Sequence, residues 1–168
     1  MTESDQDRPS PIRPTDDAAR ALARDLLQGA TFAALAVTDP ASGAPFVSRI
    51  ALGLDPEGLP VTLISTLAAH TAALKADPRC ALLIGEPGPR GDPLTHPRLS
   101  LQATARFIPR DGPDHAALRA HYLASHPKAK LYADFADFGF VVFDPSGAAL
   151  NGGFGRAFHL TPADLLPR

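Results

Sequence analysis

Between Leu99 and Pro109 apolar and polar residues alternate. Leu99, Leu101, Ala103, Ala105 and Phe107 fall on one face, and Gln102, Thr104 and Arg106 fall on the other. This period of two is the signature of a half-buried strand. Shorter apolar runs of the same kind cover Ala30 to Val37, Phe46 to Leu54, Leu59 to Ser65, Cys80 to Gly85, Phe138 to Phe143, Ala148 to Leu150 and Phe154 to Leu160. The first three are separated by Asp39-Pro40-Ala41-Ser42-Gly43 and Asp55-Pro56-Glu57-Gly58, which have turn chemistry and predict an antiparallel meander. Asp144-Pro145-Ser146-Gly147 predicts one more turn.

Helical spacing is confined to a few places. Asp16-Asp17 opens a helix with apolar positions at Ala18, Leu22, Leu26 and Leu27, stopped at Gly29. A short helix is predicted from Ala68 to Ala76 and a longer one from Asp111 to Ser125, which His126-Pro127 breaks. Lys128 to Phe135 reads as a further helical turn or two. Thr161-Pro162 caps a terminal helix reaching Leu166. Glu86 to Pro97, rich in glycine and proline, is a loop. Six or seven strands, mostly joined as hairpins, predict a mainly β fold: an antiparallel barrel with flanking helices. Residues 1–15, polar and rich in proline, are expected to be a flexible arm, and residues 16–168 a single domain.

Composition narrows the function classes. With 45% hydrophobic and 20% charged residues, the chain of 168 residues can bury one core. A net charge of −2 with no basic block argues against nucleic acid as a partner. The single cysteine, Cys80, leads an apolar run and is read as a buried strand residue. The histidines lack metal-ligand spacing, and there is no Gly-x-Ser-x-Gly elbow. The first residues do not resemble a signal peptide, and no apolar run reaches the ~18 residues of a membrane span. A cytoplasmic protein is the expectation.

The candidate chemistry gathers at one joint. Ser65-Thr66-Leu67-Ala68-Ala69-His70-Thr71 links the third strand to the short helix. Hydroxyls and an imidazole there meet the unpaired N–H groups of a helix N-terminus, a place that suits an anion such as phosphate. Ser65 or Thr66 can equally serve only as a helix cap, and His70 can be a surface histidine. Ser48-Arg49 puts a guanidinium in an apolar strand, where it can grip a phosphate or simply face solvent. Gln102 and Arg106 share the polar face of the fifth strand. Gly152-Gly153-Phe154-Gly155-Arg156 lacks a dinucleotide fingerprint and most simply marks a bend or bulge.

These residues carry a family resemblance. Arg49, Ser65-Thr66 and His70-Thr71 resemble the flavin-binding split barrel of pyridoxamine-phosphate-oxidase-like proteins. Leu67-Ala68-Ala69-His70-Thr71, Asp77-Pro78-Arg79 and the run from Leu150 to Phe158 are similar to the branch that includes bacterial heme-utilisation proteins. The resemblance implies a homodimer that holds FMN between subunits, and an FMN-dependent oxidoreductase of unstated substrate. It assigns Thr66, His70 and Thr71 to the phosphate, Arg49 and Ser65 to the ribityl chain or ring, and Gln102 and Arg156 to the ring or substrate. No residue is singled out as a catalytic acid or base. Two departures matter: the chain lacks tryptophan, which disfavours vitamin B6 oxidation, and it stops at Arg168 without the further domain of the longer heme-utilisation proteins. A heme-binding or heme-degrading protein, and a dimeric module without cofactor, stand as the alternatives.

Overall fold

The computed structural model describes residues 11–166. The expected arm therefore lies outside the described residues up to position 10. Beyond it, Ile12–Arg13 (β1) pairs in parallel with a late strand, so the chain is already tied down there. Helix α1 (Asp17–Gly29) follows, capped by the Asp16 carboxylate, which accepts from the Ala19 amide. It buries Ala19, Ala23 and Leu27, with Leu22 and Leu26 packed at the margin, while Ala18 is exposed.

The remaining strands are β2 (Phe32–Thr38), β3 (Pro45–Ala51), β4 (Gly53–Leu54), β5 (Pro60–Ser65), β6 (Arg79–Ile84), β7 (Arg98–Phe107), β8 (Phe138–Asn151) and β9 (Ala157–Leu160). Helices α2 (Ala69–Ala76), α3 (His115–Ser125) and α4 (Pro162–Leu165) lie between or after them. The strands form one sheet in the order β1-β9-β8-β7-β6-β2-β3, with β5 pairing both β4 and the first half of β8.

Two sequence expectations change here. The run Phe46 to Leu54 is not one strand of a meander. It breaks at Leu52, whose side chain is buried and whose N–H reaches back to the Thr31 carbonyl. Before the break it pairs with β2; after it, with β5. Likewise Asp144-Pro145-Ser146-Gly147 is no turn. It lies inside the single 14-residue strand β8, where Gln102 opposes Gly147 and Ala103 opposes Pro145. Ser146 is the extra residue of a bulge, a place that tolerates the missing N–H of proline. The bulge separates the part of β8 that pairs β5 from the part that pairs β9.

The result is a mainly β split barrel. Ladder hydrogen bonds join β3 to β2 and β5 to β8, but β3 and β5 face each other across a seam without them. Inside, Leu35, Leu52, Leu82, Leu99, Leu101, Val141 and Phe143 form the main core with residues of α1 and α2. A second cluster lies outside the β5–β8 ladder, where Leu118 and Tyr122 of α3 cover Val61, Leu63, Phe140 and Val142. Gly53 permits that layer: a Cβ there would lie 3.1 Å from the Tyr122 ring. The rest of the outer face has no such cover.

Candidate functional site

The joint between β5 and α2 is built at the seam. Thr71 is the brace: its hydroxyl, almost wholly buried, donates to the Ser65 carbonyl at 2.6 Å. Ser65 in turn donates its hydroxyl to Asp137 at 2.6 Å and accepts from the Leu67 amide at 3.1 Å. The Thr66 amide donates to the Asp137 carbonyl, and its side chain faces solvent. Asp137, directly ahead of β8, thus fixes the joint from the neighbouring strand.

The helix that follows begins without a side-chain cap, because Ala68 stands at that position. The first turn holds no acidic residue, and Thr71 N–H returns to the Ala68 carbonyl. The amides of Ala69 and His70 have no acceptor among the described residues. Two free N–H groups at the positive end of a helix dipole suit an anion.

His70 spans the seam. Its Nδ1 lies 3.0 Å from the Ser48 hydroxyl of β3, and its Nε2 is buried with no hydrogen-bond partner. Burial holds its pKa below the ordinary histidine value. A second seam contact lies deeper, where the buried Thr62 hydroxyl donates to the Ala51 carbonyl at 2.6 Å. These two side-chain bonds stand where ladder bonds are missing.

The other expected site residues lie elsewhere in the protomer. Arg49 follows Ser48 on β3 and so points to the opposite, outer face, its guanidinium 5.3 Å from the centre of the Phe32 ring. Gln102 is on that outer face too, exposed, opposite Ala81 and Gly147. Its strand is three strands from β3, roughly 14 Å at ~4.8 Å per strand. Arg156 is exposed in the hairpin between β8 and β9, beyond Gly153 and next to a fully exposed Phe154. One protomer therefore brings Ser65, Thr66, His70 and Thr71 together, places Arg49 at the neighbouring outer face, and leaves Gln102 and Arg156 apart. Arg106 is occupied by Asp144 at 3.0 Å, and Lys75 sits over the Phe107 ring.

The outer face of β2 and β6 carries small and apolar residues. Ala34 pairs with Leu83 and Ala36 with Ala81, with Val47 at the edge, while β7 presents Ser100 and Gln102 between this patch and Ala149 of β8. Leu83 is 48% exposed and Val47 61%. At one end a concavity of about 540 Å³ opens, lined by Leu26, Phe32, Leu83, Pro93 and Arg98 among others. It shares Phe32 with Arg49 but none of the joint residues. Among the described residues no group of three or more His, Cys, Asp or Glu is placed to hold a metal ion, and no helix is long and apolar enough to cross a membrane.

Two residues that bond to the joint escaped the sequence reading. Ser48 carries a signal in hindsight, since it stands between Phe46 and the buried Ile50 on the inward-facing register of β3. Asp137 carries none, because its partner Ser65 is 72 residues away.

Comparison with known proteins agrees with this architecture. Residues 19–151 match the family model described as pyridoxamine 5'-phosphate oxidase. The chain is 38% identical over 117 residues to the non-canonical heme oxygenase HOZ, chloroplastic, of Arabidopsis thaliana, which covers 69% of this chain and 34% of that protein. This chain thus spans about a third of the length of that relative. Among solved structures, the Agrobacterium tumefaciens protein Atu2129, of unknown function, is 36% identical with a TM-score of 0.77, covering 90% of this chain and 61% of that one. A heme binding protein from Mycobacterium smegmatis is 30% identical with a TM-score of 0.78, covering 94% and 60% respectively. With the split barrel, the seam and the joint in place, this chain belongs to the pyridoxamine 5'-phosphate oxidase family, in the branch that includes the heme-utilisation proteins.

Proposed function

We propose that the chain is an FMN-binding oxidoreductase that works as a homodimer, with each flavin held between two copies. The joint carries this reading: an α2 N-terminus with free Ala69 and His70 amides, no side-chain cap and no acid in its first turn, beside an imidazole with an unpartnered nitrogen. That donor set fits a phosphate group. Ala69, His70 and the solvent-facing Thr66 would hold it, while Thr71 and Ser65 fix the joint from behind. Arg49 would reach the ribityl chain or ring at the outer face. Bound flavin would supply hydride or electron transfer; the chain's own part is to bind and orient it.

The same geometry supports a dimer. Gln102 and Arg156 stand apart from the joint within one protomer, and the small-residue outer face of β2 and β6 lacks a covering layer. A second copy on that face would supply both. The alanines of β2 and β6 favour close approach of two sheets.

The test is titration of the protein with FMN, followed by flavin fluorescence. Saturable binding that weakens at least tenfold in Arg49→Ala and in His70→Ala is the expected result. Unchanged affinity in both variants would overturn the residue assignments. A second reading, heme binding, is favoured by the printed descriptions of the Arabidopsis and Mycobacterium relatives. Hemin binding with a Soret band, together with no FMN binding, would replace the flavin by heme.

A further inference from the structure

His70 has a feature that flavin binding alone does not use. We infer that phosphate binding at the joint is coupled to uptake of one proton by His70, whose buried, unpartnered Nε2 keeps the ring neutral when the site is empty. This rests on the flavin reading above and adds to it a dependence on pH.

A neutral imidazole carries one N–H. With Nδ1 at 3.0 Å from the Ser48 hydroxyl, that proton has an acceptor on Nδ1, and the lone pair is left on the shielded Nε2. A protonated ring carries N–H on both nitrogens. Its second donor would then be cationic and buried with nothing to accept it, which is the costly arrangement.

The surroundings offer no remedy. On α2 itself, Lys75 lies over the Phe107 ring, and Asp77 pairs with Arg79 beyond the far end. On β3, Arg49 points to the opposite face, over Phe32. The residues of β2 that face inward, Leu35 and Val37, are apolar. The nearest carboxylate of the joint, Asp137, already accepts from Ser65. No carboxylate of the described residues pairs with His70.

A phosphate at the free amides of Ala69 and His70 changes this. It brings both an acceptor oxygen and negative charge to the first turn of α2. The His70 ring lies in that same first turn and is only half-buried, so the charge of the anion acts on it at short range. The charged imidazole then has an anion for a partner, and burial no longer decides its state. The sign follows: a pKa depressed in the free protein and raised in the complex makes affinity greatest at low pH. Affinity falls as pH rises through the pKa of the complex, by up to about tenfold per pH unit for one linked proton. The phosphate's own second ionisation, near ~6, limits the useful window to pH above that value.

The experiment is calorimetric titration of the protein with FMN between pH 6.5 and 8.5, in buffers of different ionisation enthalpy. Riboflavin, which lacks the phosphate, is the control. Proton uptake with FMN but not with riboflavin, lost in His70→Gln, is the expected result. FMN binding without proton uptake, or with uptake equal to that of riboflavin, overturns the coupling while leaving the flavin reading intact. Should FMN not bind at all, the flavin reading fails, and inorganic phosphate then decides the coupling through the NMR titration of His70. A His70 pKa raised by phosphate supports it; an unchanged pKa overturns it.

Discussion

Replacing Thr71 by valine separates two roles that the sequence leaves together. The family resemblance places Thr71 on the phosphate, but in the structure its hydroxyl is turned inward. It donates to the Ser65 carbonyl at 2.6 Å, and the residue is only 2% exposed. Valine keeps the branched shape and removes the donor. The Ser65 carbonyl is not orphaned, because the Ala68 amide still donates to it at 3.2 Å. The cost is therefore that of one ordinary hydrogen bond, about 1 kcal/mol, rather than the larger penalty of an unsatisfied buried group. For a domain of this size that is a fall in Tm of roughly 2–4 °C. If all of it were passed on to FMN binding, affinity would drop about fivefold. Calorimetry and FMN titration of Thr71→Val measure both. An unchanged Tm with a loss of affinity far beyond tenfold would refute the bracing role and make Thr71 a phosphate ligand.

The same structure sets further outcomes. Leu83→Asp puts a charge into the uncovered outer face, so the protein should change from two copies to one by light scattering with its far-UV circular dichroism unchanged; a variant that stays dimeric contradicts the assigned face. Burial pushes the Cys80 thiol up to about 12, so a disulfide reagent at pH 8 should react slowly with the native protein and quickly in denaturant; equal rates would show an accessible thiol. The Arg20 guanidinium, 2.6 Å from Asp164, and the Thr161 amide hold that carboxyl at about 2. A depressed carboxylate adds stability above its unfolded value, near ~4, that is lost as pH falls toward the folded one. The Tm gap between wild type and Asp164→Asn should therefore be full at pH 5 and above and close between about pH 4 and pH 2; a gap independent of pH would contradict the ion pair.

Much of the fold is written in local pattern. The alternation along β7 assigns Leu99, Leu101, Ala103 and Ala105 to the core, where all four are buried. The capping residues Asp16 and Thr161 mark the starts of α1 and α4. What local pattern misses is where a strand changes partner. A turn and a bulge use the same residues, so Pro145-Ser146-Gly147 reads as a turn although the strand runs through it. The break at Leu52 leaves no mark in composition, because Leu52 is as apolar as its neighbours; only the Thr31 carbonyl and the β5 pairing reveal it.

The site was legible to a similar extent. Hydroxyls and a histidine at a strand-to-helix joint can be read from sequence, since the helix N-terminus is a local feature. Which hydroxyls face outward is not local. Thr71 is spent on Ser65, and Ser65 on an aspartate 72 residues later in the chain. Arg49 and Ser48 are adjacent in sequence but on opposite faces of β3, so only one of them can touch His70.

The central claim is a flavin shared by two copies of this chain. Sedimentation velocity of the protein with FMN, detected through the flavin's visible absorbance, tests it most directly. The account predicts flavin moving with a two-chain species at one FMN per chain. Flavin that sediments free, or with a single chain, would contradict it.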